Sequence, residues 1–295
     1  MYKQIASNKR KSILLILFFL VIIFGLTWTF GYLTDLGPGG LILAVAIALI
    51  SGLAGYYGSD KIVLGISKAR PVTREEYPYL YNVVEGLAMA AGVPSPPCYV
   101  IDDTAPNAFA SGRDPQHSVI CVTTGLLQKL NRAELEGVVA HEMSHIRYYD
   151  IRLQTLAVVM VGVVALLSDW ILRSFLWGGG RRRGRDKGNF GAILIVVGLV
   201  LAVLAPLASQ LIRLAVSRKR EFLADAGSAE LTRYPAGLAS ALRKIAADTE
   251  PLEAANKATA HMYIVNPLKD LRGRVNSLFS THPPIEERIA ALEKM

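Results

Sequence analysis

The sequence predicts an α+β domain, mostly helical with a small sheet, combined with four transmembrane helices. Three observations carry that expectation. Four long stretches lack charge, a helix around Glu75–Ala91 is followed by short strands near Cys98–Ile101, Asn107–Ser111 and Val119–Thr123, and two histidines stand at helical spacing near the middle of the chain. The 295 residues are 52% hydrophobic and 19% charged, with a mean hydropathy of +0.34, which weighs against an ordinary soluble chain and excludes disorder and collagen-like repeats. The net charge of +8 would suit nucleic acid, but basic residues beside apolar runs point instead to membrane orientation, so no nucleic-acid partner is expected. Cys98 and Cys121 allow at most one bridge and no four-cysteine metal module; both read as buried, reduced thiols.

The amino-terminal segment 1–58 reads as a membrane hairpin. Its first span, about 13–32, follows Lys9, Arg10 and Lys11 and lacks the short apolar core and small-residue cleavage site of a signal peptide. The second, about 41–58, is separated from it by Asp35-Leu36-Gly37-Pro38-Gly39-Gly40, a turn-rich loop without Lys or Arg. Both outer flanks are basic, with Lys61, Lys68 and Arg70 on the far side, so the positive-inside rule places them in the cytoplasm. A second hairpin is expected at 153–212, with spans of about 153–177 and 190–212. It is less regular. Asp169 and Arg173 interrupt the third run, at a spacing that lets them pair, and the loop between runs three and four carries Arg181, Arg182, Arg183, Arg185 and Lys187, which would face outward against the rule. The remaining residues, 59–152 and 213–295, are enough for one cytoplasmic domain into which the second hairpin is inserted.

Chemistry is concentrated in His141-Glu142-Met143-Ser144-His145, an HExxH pattern. Ala133 to Ala140 has helical composition and follows Asn131, a suitable N-cap, so the pattern falls on a helix. His141 and His145 then share one face and can bind a single Zn²⁺. Glu142 lies about 100° around the helix, where it can act as a general base on a zinc-activated water without being a ligand. Val138, Val139 and Ala140 supply an apolar back, and Arg147, Tyr148, Tyr149 and Asp150 read as the aqueous edge. Because the flanking residues Glu134, Glu136, Arg147 and Asp150 are charged, an intramembrane protease is disfavoured.

A third ligand is required, and no HExxHxxGxxH extension supplies it. Glu221 and Asp225 stand at i, i+4 after the fourth run; Glu221 can bind zinc while Asp225 accepts the second ring N–H of a ligand histidine. Alternatively they are acidic residues of a surface helix balancing Arg218, Lys219 and Arg220. The hairpin favours the first reading, since it returns the end of the HExxH helix and the Glu221 segment to the same side and level.

The motifs HEMSH, EFLAD, PNAFASG and THPPIEER, ordered around four apolar runs, resemble the HtpX family of membrane-bound zinc metalloproteases, relatives of the CAAX prenyl proteases among the gluzincins. The resemblance covers nearly the whole chain. It implies a zincin-like fold and an endopeptidase of the prokaryotic plasma (inner) membrane, multi-pass, with its active site in the cytoplasm. It further implies one Zn²⁺ per chain and a role in protein quality control, cutting misfolded or damaged membrane proteins. By position it implies His141, His145 and Glu221 as ligands, Glu142 as catalytic base and Asp225 as the acid behind them. Asn107, Ala108 and Phe109 resemble the strand at the rim of the cleft, which would pair with an extended substrate. His282 and then Arg288, in the late HPP segment, are candidates to stabilise the oxyanion; a turn histidine is the alternative. His117 and His261 match nothing and read as structural or solvated. Rival readings are a CAAX-type prenyl protease, expected to have more than four spans, and a non-catalytic zinc-binding membrane scaffold, which has no need of Glu142.

Overall fold

The computed structural model describes residues 2–33, 42, 46, 50, 53, 55–162, 217–254, 259–265, 267 and 283–295. Most of the second apolar run, the third beyond residue 162, the whole of the fourth, the basic loop between them and His282 lie outside the described residues.

The first run lies within α1 (Tyr2–Leu33). Asn8, Ser12, Leu15 and Phe19 form its buried stripe at helical spacing, whereas Ile13, Leu14, Leu17, Phe18 and Val21 on the other faces are exposed. Several α1 side chains beyond Val21 fall outside the description, and over the described residues no helix is long and apolar enough to cross a membrane.

After α2 (Ser59–Ile66), β1 (Arg70–Pro71) and α3 (Pro78–Ala91), the chain forms β2 (Cys98–Ile101), β3 (Ala108–Asp114) and β4 (His117–Thr123). Proline at the first turn starts α3, later than the expected Glu75, because its fixed φ suits that position and its missing N–H costs nothing there. Gly92, at φ 69, ends it in the left-handed conformation. The four strands make one mixed sheet in the order β1-β2-β4-β3. β2 is parallel to β4, and β3 is antiparallel to β4 with Phe109 opposite Cys121. Among the described residues β3 is therefore an edge strand.

Both sheet faces are covered, and the period of two along each strand divides the side chains between them. Ala108, Ala110, Ile120 and Val122 join Leu80, Val84, Leu135 and Val139 in the larger core. On the opposite face Phe109, Cys121 and Ile101 pack with Val63, Met262 and Tyr263. Phe109 meets the Tyr263 ring edge-on at 5.1 Å, and its near-complete burial contributes about 2–3 kcal/mol. Cys98 and Cys121 are free and buried, and burial raises both thiols, Cys98 to about 12, which leaves them inert.

Beneath the sheet, α4 (Thr124–Lys129) leads to α5 (Arg132–Arg147). The expectation of one apolar back is too narrow: Leu135 and every residue from Gly137 to Ile146 are buried, so α5 is a central helix enclosed on all sides. It packs on α3, on α7 (Arg218–Thr232) and on α8 (Pro235–Ala247). Residues 150–162 form α6, directly after α5, and α9 (Ile285–Leu292) closes the domain against α7 and α8. At Gly137 a Cβ would lie 2.6 Å from the Leu238 backbone nitrogen, so only glycine admits this approach of α8.

A capping box fixes the start of α5. The Asn131 side chain accepts from the Glu134 N–H at 3.1 Å, and the Glu134 carboxylate accepts from the Asn131 N–H at 2.8 Å. Glu134 also accepts from Ser240 and Lys244 of α8, both at 2.7 Å. Burial pushes its carboxyl up, but these donors outweigh burial and hold the pKa below its ordinary 4.5. We expect Glu134→Ala to destabilise the domain by about 2 kcal/mol, measured by denaturant unfolding. The lowered carboxyl stabilises the fold above pH 4.5, and that contribution is lost as pH falls through its folded value, so the difference from wild type shrinks in acid.

Candidate metal centre

α5 and α7 bring His141, His145 and Glu221 together, their donor atoms all within 4.8 Å of one another and all buried. The two Nε2 atoms face each other at 3.2 Å, and Glu221 reaches them with one oxygen each, at 3.8 Å to His141 and 3.7 Å to His145. An ion bound tetrahedrally at about 2.1 Å would separate its donors by about 3.4 Å, close to the observed triangle.

The hydrogen-bond network explains why the Nε2 atoms point inward. His141 Nδ1 lies 2.9 Å from Asp225 Oδ1, and His145 Nδ1 lies 3.2 Å from Asp150 Oδ2. Each carboxylate takes a ring N–H, which fixes the tautomer and leaves a lone pair on each Nε2. Two lone pairs and a carboxylate meeting in a buried space form a donor set that can hold a cation. Glu142, Glu221, Asp225 and Asp150 are all buried here, and among the described residues Arg288 pairs with Asp225 and Arg220 approaches Asp150. Burial opposes protonation of the His145 ring, but Asp150 and Glu221 prevail and raise it to about 9, while burial holds His141 down to about 4.

Glu142 stands beside this triangle rather than in it. Its Oε2 accepts the Ala110 N–H of β3 at 2.8 Å, and burial, followed by the neighbouring Glu221 charge, pushes its carboxyl up to about 7. Arg288 is fully buried behind the ligands. It is bidentate to Asp225, from Nε at 2.9 Å and Nη2 at 2.6 Å, and its Nη1 donates to the Ile264 carbonyl at 2.9 Å. The guanidinium expected at the oxyanion is thus engaged in holding the carboxylate that orients His141. His282, the other oxyanion candidate, lies outside the described residues, whereas His117 is exposed beside Asp114 and His261 is buried near Gln154.

Asn107 precedes β3, its Oδ1 accepting from the Ala108 N–H and its Nδ2 donating to the Val265 carbonyl at 3.0 Å. On the open edge, the Ala108 carbonyl accepts from the Ile264 N–H at 3.0 Å. Residues 264–265 of the chain itself therefore line the open edge of β3.

Two contributors to the centre were not legible as such. Asp150, read as part of an aqueous edge, is fully buried, because Tyr149 at φ 62 turns the chain back beneath His145. Arg220 approaches the same carboxylate, with Nε at 3.8 Å.

The family model described as peptidase family M48 matches residues 74–295, which include every one of these groups. The chain also aligns over its full length with proteins named protease HtpX homolog. It is 52% identical to that of Dictyoglomus turgidum, covering 94% of it, and 46% identical to that of Ligilactobacillus salivarius, covering 100%. The chain belongs to peptidase family M48, in its HtpX group. It is accordingly a metalloprotease, and the mixed sheet packed on the HExxH helix is the zincin-like fold of M48 proteases. Among solved structures it is similar to the crystal structure of S. mikatae Ste24p, with 21% identity and a TM-score of 0.49; 99% of this chain aligns with 66% of that one. α1 precedes the residues that the M48 model matches.

Proposed function

We propose that this M48 protease is a membrane-anchored zinc endopeptidase that cleaves misfolded or damaged membrane proteins as part of quality control. The observation that carries the reading is the buried convergence of two oriented imidazole lone pairs and one carboxylate, a donor set that suits zinc. When bound there, Zn²⁺ supplies the Lewis acidity that polarises a peptide carbonyl and acidifies water. Glu142 takes the proton from the attacking water and delivers it to the leaving amine. Asp225 and Asp150 keep the two imidazoles in register, and Arg288 keeps Asp225 charged in a place that would otherwise neutralise it. His282, ahead of Pro283 and Pro284 at the start of α9, is the proposed oxyanion donor.

An extended substrate adds to the open edge of β3 at Asn107, Ala108 and Phe109, through main-chain hydrogen bonds that tolerate many sequences. It takes over the Ala108 carbonyl from Ile264. The exposed apolar faces of α1 support a membrane anchor, since Leu14 and Val21 are 58% and 69% exposed, an arrangement water would not favour. In the proposed topology 1–58 and 153–212 are hairpins and the protease domain faces the cytoplasm. The bilayer and protein substrates are the partners. A cysteine introduced at Gly184 should react with a membrane-impermeant thiol reagent from outside in intact cells; labelling from the cytoplasmic side alone would contradict the second spanning hairpin.

The function is tested on protein purified in detergent by following cleavage of an unfolded protein. Cleavage should stop when a zinc chelator is added and return when zinc is restored. Cleavage indifferent to the chelator would rule the reading out.

A further inference from the structure

Helix α1, which precedes the residues matched by the M48 model, reaches the metal centre through the Asn8 side chain. Asn8 is 2% exposed, and its Nδ2 donates both hydrogens, one to the Tyr148 carbonyl at 2.9 Å and one to Asp150 Oδ1 at 2.7 Å. Both partners are acceptors, so the amide nitrogen and not its oxygen must face them. Tyr148 caps the end of α5, where carbonyls lose their helical partners. Tyr149, at φ 62, makes the left-handed turn that carries Asp150 under His145, and Asp150 Oδ2 then accepts from His145 Nδ1. One amide thus fastens both ends of that turn.

Asn8 is itself held. Its backbone carbonyl accepts from Ser12 Oγ at 2.9 Å, and it heads the stripe Asn8, Ser12, Leu15 and Phe19 by which α1 is buried. The neighbouring Lys9 ammonium lies 4.3 Å above the Tyr149 ring. The carboxylate between the two helices is therefore fixed from α1 on one oxygen and spent on the histidine with the other.

We propose that Asn8 is a positioning residue of this protease: by hydrogen bonds from the amino-terminal helix to Tyr148 and Asp150 it sets the orientation of His145, so that zinc retention depends on those two bonds. The proposal rests on reading the pocket as a zinc site. Partners one layer behind a metal ligand typically change metal affinity by about 10–100-fold when removed. Nothing in the HExxH helix alone supplies this restraint on His145, because Asp150 begins α6 and is not part of α5.

The test compares full-length wild type, Asn8→Leu, which keeps the side-chain size and loses both donors, and Leu15→Ala, which weakens packing on the same stripe without touching Asp150. The rate of zinc transfer to a colorimetric chelator is measured at fixed pH in detergent, together with the visible spectrum of the cobalt-substituted proteins. Asn8→Leu should release zinc about 10-fold faster and alter the cobalt spectrum, whereas Leu15→Ala should do neither. In an Asp150→Asn background, Asn8→Leu should add little, because the two residues act through one contact. If Asn8→Leu does not fold, Asn8→Ala, with higher helix propensity and room for water, takes its place with the same readouts. Zinc held by wild type and released at the wild-type rate from the Asn8 variant would overturn this proposal alone, as would equal acceleration in Leu15→Ala. A wild type without zinc would overturn the zinc reading and the proposal with it.

Discussion

Glu142→Gln should leave the fold and the metal content unchanged and lower kcat by about 10³-fold, equivalent to about 4 kcal/mol. The substitution is nearly isosteric, and the amide oxygen can still accept the Ala110 N–H that Glu142 now holds at 2.8 Å. It cannot accept a proton from water. Since Glu142 lies outside the donor triangle of His141, His145 and Glu221, no ligand is lost. Burial and the adjacent Glu221 charge already bring the carboxyl up to about 7, which makes it a better proton acceptor than an exposed glutamate. The measurement is steady-state cleavage of an unfolded protein beside metal analysis of the same samples. Activity within a few-fold of wild type would remove Glu142 from the mechanism.

Glu221→Ala should have the opposite signature, losing the metal first and activity as a consequence. It deletes a buried donor that faces both imidazoles. Two imidazoles alone give zinc an incomplete shell, so affinity measured by competition with a chelator should fall at least about 10²-fold. Asp225 would keep Arg288 and the ring of His141 in place, so the domain should still fold. Retention of zinc at wild-type affinity would show that the third ligand lies elsewhere.

What the sequence made legible was local. His141 and His145 share a helix face because i, i+4 spacing is a property of the helix itself, and the same holds for Glu221 and Asp225 on α7. The Asn131 cap was visible from composition, and the strands near Cys98–Ile101 and Val119–Thr123 from their short continuous apolar runs. The two-residue β1 carried no pattern long enough to detect. Asp150 was misread because charged residues after a helix ordinarily meet water, and the left-handed backbone at Tyr149, a residue that does not favour it, leaves no trace in composition. Asn8 was equally silent, since its partner Asp150 is 142 residues away. Arg288 was singled out through a resemblance in its motif, but its engagement by Asp225 follows only from the packing of α9 on α7.

The centre also explains why the active helix is so deeply buried. Two histidines held by two carboxylates, themselves held by Arg288, Arg220 and Asn8, form a network in which each polar group needs its neighbour. Such a network is costly when incomplete, so the surrounding helices and sheet must fix every member before an ion can be bound in a single geometry.

The most direct measurement is X-ray absorption at the zinc edge on the purified full-length protein, with zinc quantified on the same sample. The account predicts one zinc per chain in a shell of nitrogen and oxygen at about 2.0–2.1 Å with the multiple scattering of two imidazoles. A chain without stoichiometric metal, or a shell containing sulfur at about 2.3 Å from Cys98 or Cys121, would contradict it.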